Sequence, residues 1–304
     1  MNSMIFRGRF LLTAVAAATA LAGSACVDIV GSDLGKYVER DEKRFTVSGK
    51  PDVDLSTFDG SIEVRPWDKS DVLVVIEKRG RDKSDVATID VHAEQAGNRV
   101  TVEVREPKSA RHFTLGWNNS RSAKLIVSVP ASSNISAKSG DGSIDIERLS
   151  GTLDLRSGDG SIHARDITGD LKVHTGDGSI KLEGLNGALD ADTGDGGISA
   201  SGKFTGVKTR SGDGSVMIHA APGSAASADW DVVTGDGSVV VELPDGFGAE
   251  LDAHTGDGSV KLQDVTLSNV SGRLDRNTVK GTLGSGGRTL RVRTGDGSIT
   301  LRRF

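Results

Sequence analysis

One tripeptide, Gly-Asp-Gly, recurs eight times in this chain of 304 residues, with its aspartate at Asp141, Asp159, Asp177, Asp195, Asp213, Asp236, Asp257 and Asp296. The first five copies stand 18 residues apart, and the later gaps are 23, 21 and 39. A fixed period makes the repeat the unit of folding. Around Asp177, Leu171, Val173 and Thr175 alternate with Lys172 and His174, and after the turn Ile180 and Leu182 alternate with Lys181. Period two over such short runs signals half-buried strands. About five apolar positions per unit cannot close a core alone, so units must stack. Phe58-Asp59-Gly60-Ser61-Ile62-Glu63-Val64 keeps the motif's core as an early relic, and the 39-residue gap leaves room for a worn copy at Leu274-Asp275-Arg276-Asn277-Thr278-Val279-Lys280.

Two all-β architectures satisfy the pattern. Asp-Gly between alternating runs is a hairpin signal, which would give an antiparallel β meander. A parallel β-solenoid, or β-helix, of about 18-residue coils instead stacks equivalent residues about 4.8 Å apart. The solenoid is favoured, because only there does Thr/Ser-Gly-Asp-Gly-Ser stack on itself. The glycines beside each aspartate, Gly178 for example, are expected in left-handed or otherwise restricted backbone. Composition removes the competitors. Forty glycines with only six prolines exclude collagen, and the alternation with a net charge of −5 opposes disorder.

The N-terminus reads as an export signal. Arg7 and Arg9 precede an uncharged stretch, 10–23, which suits a secretory core and is short for a membrane span. It ends in Leu21-Ala22-Gly23-Ser24-Ala25-Cys26, whose cysteine is the only one in the chain and so forms no internal disulfide. Two maturations fit. One is plain signal-peptidase cleavage after an Ala-x-Ala-like site. In the other, the stretch resembles a bacterial lipoprotein signal, with cleavage before Cys26 and lipidation of its thiol, although Gly23 stands where such signals usually carry a larger apolar residue. The second reading makes the protein a lipid-anchored component of the bacterial cell envelope, and the first a periplasmic or secreted one. Removing residues 1–25 leaves a net charge of −7, which argues against nucleic acid as a partner.

The chain thus divides into a signal peptide (1–25), a charged tether (26–43), an irregular β region (44–130) and the Gly-Asp-Gly solenoid (131–304). In the irregular region, strands are expected at 72–76, 88–91, 100–104 and 124–129. Between the last two lies a loop, 106–122, with Trp117, Asn118 and Asn119.

No catalytic, cofactor or metal site is legible. Stacked coils would align the aspartates in a carboxylate row, but repulsion at this spacing in water is only about 1 kcal/mol per pair. Calcium bridging is the alternative, and one acid per coil supplies few ligands. His163, His174 and His254 fall on the outward strand phase, and none of the six histidines has metal-ligand spacing. A polysaccharide-active β-helix enzyme needs a carboxylate pair in a sugar-holding groove. An outer-membrane barrel needs aromatic girdles. Neither signature is present. The outward set on three consecutive coils, Asp154, Arg156, His163, Lys172, His174, Lys181, Asp190 and Asp192, mixes signs and suits a polar partner. Trp117 and Trp230 are the candidate binding anchors, tryptophan being enriched among residues that dominate binding.

The signal peptide, the segment Ser61-Ile62-Glu63-Val64-Arg65-Pro66-Trp67-Asp68 and the Gly-Asp-Gly-Ser-Ile coils together resemble the bacterial putative-adhesin β-strand-repeat family, a domain of unknown function, over roughly residues 45–304. The resemblance implies a β-helix-like fold and an envelope location, and transfers no site residues. Expected of this chain are therefore adhesion or surface binding to polysaccharide or an envelope protein. The alternative is an envelope-stress sensor or scaffold that binds a partner through 44–130.

Overall fold

The computed structural model describes residues 25–27, 37–106, 121–270 and 276–304. The signal segment 1–24, Trp117, Leu274 and Asp275 lie outside the described residues. The chain is an all-β parallel solenoid. Strand Leu153–Ser157 pairs in parallel with Leu171–Thr175, and Ile162–Arg165 with the start of Ile180–Thr193, each displaced by 18 residues. Each coil therefore contributes one strand before its Gly-Asp-Gly turn and one after it, to two long faces. A third, short side is linked by single bridges through Ser132, Ser150, Thr168 and Asn186.

Between the faces runs a core of identical columns. Ile144, Ile162, Ile180, Ile198, Val216, Val239 and Ile299 line one side, and Leu153, Leu171, Leu189, Val207, Trp230, Leu290 and Leu251 the other, all at most 3% exposed. At 20–33 cal/mol per Å² of apolar surface, a fully buried side chain of this kind is worth about 1.5–3 kcal/mol.

The turns stack through backbone. Gly158 N donates to Gly140 O, Gly176 N to Gly158 O and Gly194 N to Gly176 O, at 2.5–2.6 Å. A Cβ on Gly178 would lie 2.2 Å from Gly160 O, and one on Gly160 2.2 Å from Gly142 O. The sequence expectation of left-handed or otherwise restricted backbone is met by positive φ only at Gly60, Gly258 and Gly297 of this column. Gly176 and Gly178 do not have positive φ, and the glycines are required because each coil rests directly on the carbonyl below. The residue before each turn completes the contact. Buried Thr57, Ser139, Ser157, Thr175, Thr193, Ser211, Thr234, Thr255 and Thr294 each donate a hydroxyl hydrogen bond of 2.6–2.9 Å to a carbonyl in this column. That explains the constant Thr/Ser.

Levels follow chain order only in the middle. Asp52–Thr57 and Ile62–Trp67, the relic copy, lie between the level made of Arg99–Arg105 with Ser122–Pro130 and the level that starts at Asn134–Ser139. At the other end, Thr289–Asp296 and Ile299–Arg303 insert between Trp230–Thr234 with Val239–Leu243 and Ala249–Asp257 with Val260–Gln263. The worn copy expected near 274–280 is not a coil. Thr278–Leu283 runs antiparallel along Ala249–Asp257, and covers its edge as an exposed strand row requires. Antiparallel strands also close the opposite end, with Asp90–Ala96 on Arg99–Arg105 and Asp71–Gly80 on Ser122–Pro130.

The tether expected through residue 43 ends earlier. Tyr37–Thr46 is a ten-residue strand antiparallel to Asp71–Gly80. Its charges are cross-strand partners, Arg40 with Glu77 at 2.7 Å and Glu39 with Lys78, so a charged run here is a paired strand. The strand expected at 88–91 instead spans Asp90–Ala96. Ahead of it lies the short helix Lys83–Val86, capped by Asp82, whose carboxylate accepts from Asp85 N at 2.9 Å.

Candidate functional site: two charged faces

Period-two strands send the non-core residues outward, and in-register parallel stacking sets each on its equivalent in the next coil. A repeat with identical outward residues would pile like charge on like charge. One outward row avoids that by alternating sign, whereas others stack like charges, as Glu63 on Asp145 and Arg156 on Lys138 do. On the face before the turn, Asp154, Lys172, Asp190, Lys208, Asp231, Arg291, Asp252 and Lys280 follow one another as direct strand partners. Lys208 lies 3.7 Å from Asp190, and Lys280 3.3 Å from Asp252. In the next row His174 Nδ1 is 3.0 Å from Asp192.

The face after the turn carries a shallow trough of about 300 Å³. One of its rows runs Glu63, Asp145, His163, Lys181, and the other Arg65, Glu147, Arg165, Glu183. Arg65 and Arg165 flank Glu147 at 3.8 Å each, and Arg165 reaches Glu183 at 3.5 Å. The Lys181 hydrogen bond, aided by the charge of Arg165, holds the Glu183 carboxyl below its usual range. Further along this face His219 and Arg302 both contact Glu242, and the His219 ring stacks on Phe304 at 4.5 Å. Burial pushes the Glu242 carboxyl up, but those two hydrogen bonds outweigh it and the net shift is downward. The exposed pairs of the trough contribute about 0–1 kcal/mol each. Their main effect is to leave a long surface that is polar and internally neutralised.

The outward set named from sequence is exposed or half-buried as expected, but divides between the two faces. His163 and Lys181 lie on the trough, and the other six on the opposite sheet. Trp230 is corrected as an anchor. It is fully buried, takes the leucine place in its column and meets Phe204 edge-on at 6.0 Å and Phe247 at 4.9 Å. Trp230 lies within the 23-residue interval between Asp213 and Asp236. Cys26 sits in a three-residue strand, Ala25–Val27, with Asp41 as its partner. Among the described residues no three His, Cys, Asp or Glu side chains gather as a metal site would. The turn aspartates are all exposed. Also among the described residues, no helix is long and apolar enough to cross a membrane.

Residues 52–302 match the family described as Toastrack DUF4097. Solved structures similar to this chain include a putative cell adhesion protein from Clostridium sporogenes, 13% identical, covering 87% of this chain and 100% of its own, with a TM-score of 0.29. A putative adhesin from Bacteroides fragilis is 14% identical over 86% of this chain and 96% of its own, with a TM-score of 0.38. A putative lipid binding protein from Parabacteroides distasonis is 11% identical over 87% and 96%, with a TM-score of 0.26. No curated protein matches.

Proposed function

The chain belongs to the Toastrack family DUF4097, and from that premise we propose that it is a non-enzymatic binding module of the bacterial cell envelope. In this reading it is exported, anchored through a lipidated Cys26, and needs no cofactor. Its partner is a polar polymer, envelope polysaccharide first. One observation carries the proposal: the trough rows Glu63–Lys181 and Arg65–Glu183 present donors and acceptors at a fixed coil pitch of about 4.8 Å. Such a surface has little apolar area to offer, and its lining of four acids against three bases does not attract a polyanion. It suits a repeating, hydroxyl-rich ligand held by many weak contacts. A deep, largely apolar pocket of the kind that encloses a small substrate is a different geometry.

The test is co-sedimentation of the mature protein with insoluble envelope polysaccharide, for wild type and for Arg165→Glu, which turns the second row into three consecutive acids. Retention of wild type and about tenfold weaker retention of the variant, the ~1.4 kcal/mol of one central contact, are expected. Failure of wild type to bind, or equal binding by the variant, overturns the assignment. Anchoring is read separately. A fatty-acid analogue fed to cells should label wild type and not Cys26→Ser, and an unlabelled wild type rejects the lipid anchor.

A further inference from the structure

The inserted last coil differs in charge from the levels that hold it. Residues 288–304 carry five arginines and a single acid, Asp296. The level beneath, 229–243, carries Asp229, Asp231, Asp236 and Glu242 with no lysine or arginine, and the level above, 249–263, carries three acids against Lys261. The basic coil thus fills an acidic cleft. Arg291 lies between Asp231 and Asp252, and Arg293 donates to Asp252. Arg302 pairs with Glu242, and Thr289 N donates to Asp229 at 3.1 Å. The coil joins the preceding strand through Gly284-Ser285-Gly286-Gly287-Arg288. Its three glycines have positive φ, and one turn hydrogen bond, Gly286 N to Leu283 O, spans it. Extended, these five residues reach roughly 17 Å.

We propose that this acidic cleft is an acceptor site for an arginine-bearing strand pair, and that the last coil of a second copy enters it in place of the chain's own. Exchange reproduces each ladder bond, core contact and ion pair of the coil, and only the glycine connection changes conformation. Reciprocal exchange closes a two-fold dimer. The proposal is independent of any polysaccharide partner.

The test uses two differently tagged mature chains, both Cys26→Ser. One carries Val240→Cys and the other Thr300→Cys, at positions that are direct strand partners and half-buried on the outer face. The chains are refolded together and oxidised, and a parallel sample repeats this with Gly286 and Gly287 deleted from both. A disulfide linking the two tags is expected, enriched about tenfold by the shortened connection, which hinders return of the coil to its own chain. A chain bearing both cysteines serves as the control and should lose its free thiols on oxidation, by closure within one chain or between two exchanged chains. Closure of that control without any inter-tag disulfide, in either connection length, overturns the proposal. Failure of the control to close overturns it as well, because the cleft would then not hold this coil.

Discussion

The two ends of the solenoid break chain order in the same way, and for different physical reasons. At the N-terminal end the relic coil 52–67 sits above the level that includes Ser122–Pro130, although the latter comes later in the chain. Ala123 occupies the place that glycine holds in every higher level: Gly60 rests on Ala123 O, with a Cβ-to-oxygen distance of 2.3 Å. A level with alanine in that column can carry a coil but cannot rest on one, so it must be outermost. At the other end the column offers no such choice. Gly237, Gly297 and Gly258 are all glycine, and stack in that order. There the charge row favours insertion. Stacking by sequence would set Asp231 against Asp252, whereas insertion of the last coil places Arg291 between them. Sterics order one end, and at the other the inserted coil relieves a like-charge contact.

The largest effects should come from the glycine column. Gly178→Val, in the regular middle, and Gly297→Val, in the inserted coil, each place a side chain about 2 Å from a backbone oxygen and should each cost about 3 kcal/mol or more in denaturant unfolding. Asp177→Asn should stay within about 0.5 kcal/mol, as exposed substitutions do. A small effect at Gly297 alone would show that the last coil is not packed between two levels. Next come the buried hydroxyls. Thr193→Val and Thr294→Val strand the carbonyls of Gly178 and Gly237, at about 1–3 kcal/mol each. Equal losses would confirm that both ends of the array use one joint.

How much of this was legible in the sequence divides along the same line. The 18-residue period, the alternation and the Thr/Ser before each turn identify the coil and its core, because they are local properties of one unit. The level order is not local. The 39-residue gap reads as a missing copy until the arginines of 288–304 are set against the acids on either side. The glycines are identifiable as essential, but the cause is not, since close approach to another coil leaves the same mark in sequence as the positive φ that Gly60, Gly258 and Gly297 of this column adopt. Trp230 looked like an anchor because tryptophan is rare here, and its burial depends on Phe204 and Phe247, which are distant in pattern if near in chain. The division of the outward set between two faces follows from the turn, which the alternation alone does not reveal.

Smaller effects probe the charges. Arg291→Asp leaves three acids in a row at the inserted end, and Lys172→Asp does the same in the regular middle. Each should destabilise by about 1 kcal/mol at low salt, and less at high salt. The acid response is smaller again. Burial pushes the Asp252 carboxyl up, but the Arg293 hydrogen bond and the nearby Lys280 outweigh it and hold it below the ordinary range. Its contribution is therefore present above an ordinary carboxylate pKa of about 4 and is lost as pH falls through the depressed value. Thermal melts of wild type should decline more steeply below about pH 4 than those of Asp252→Asn. Parallel curves would remove Asp252 from the coupling.

The level order itself is open to a direct measurement. In a Cys26→Ser background, Val240 is paired by double substitution either with Thr300, its strand partner across the inserted coil's junction, or with Lys261, which stands one level further on. Val240→Cys/Thr300→Cys should oxidise to a disulfide, within one chain or between two exchanged chains, and Val240→Cys/Lys261→Cys should remain reduced. The reverse result, closure only between 240 and 261, would mean that the coils stack in chain order and would contradict the account.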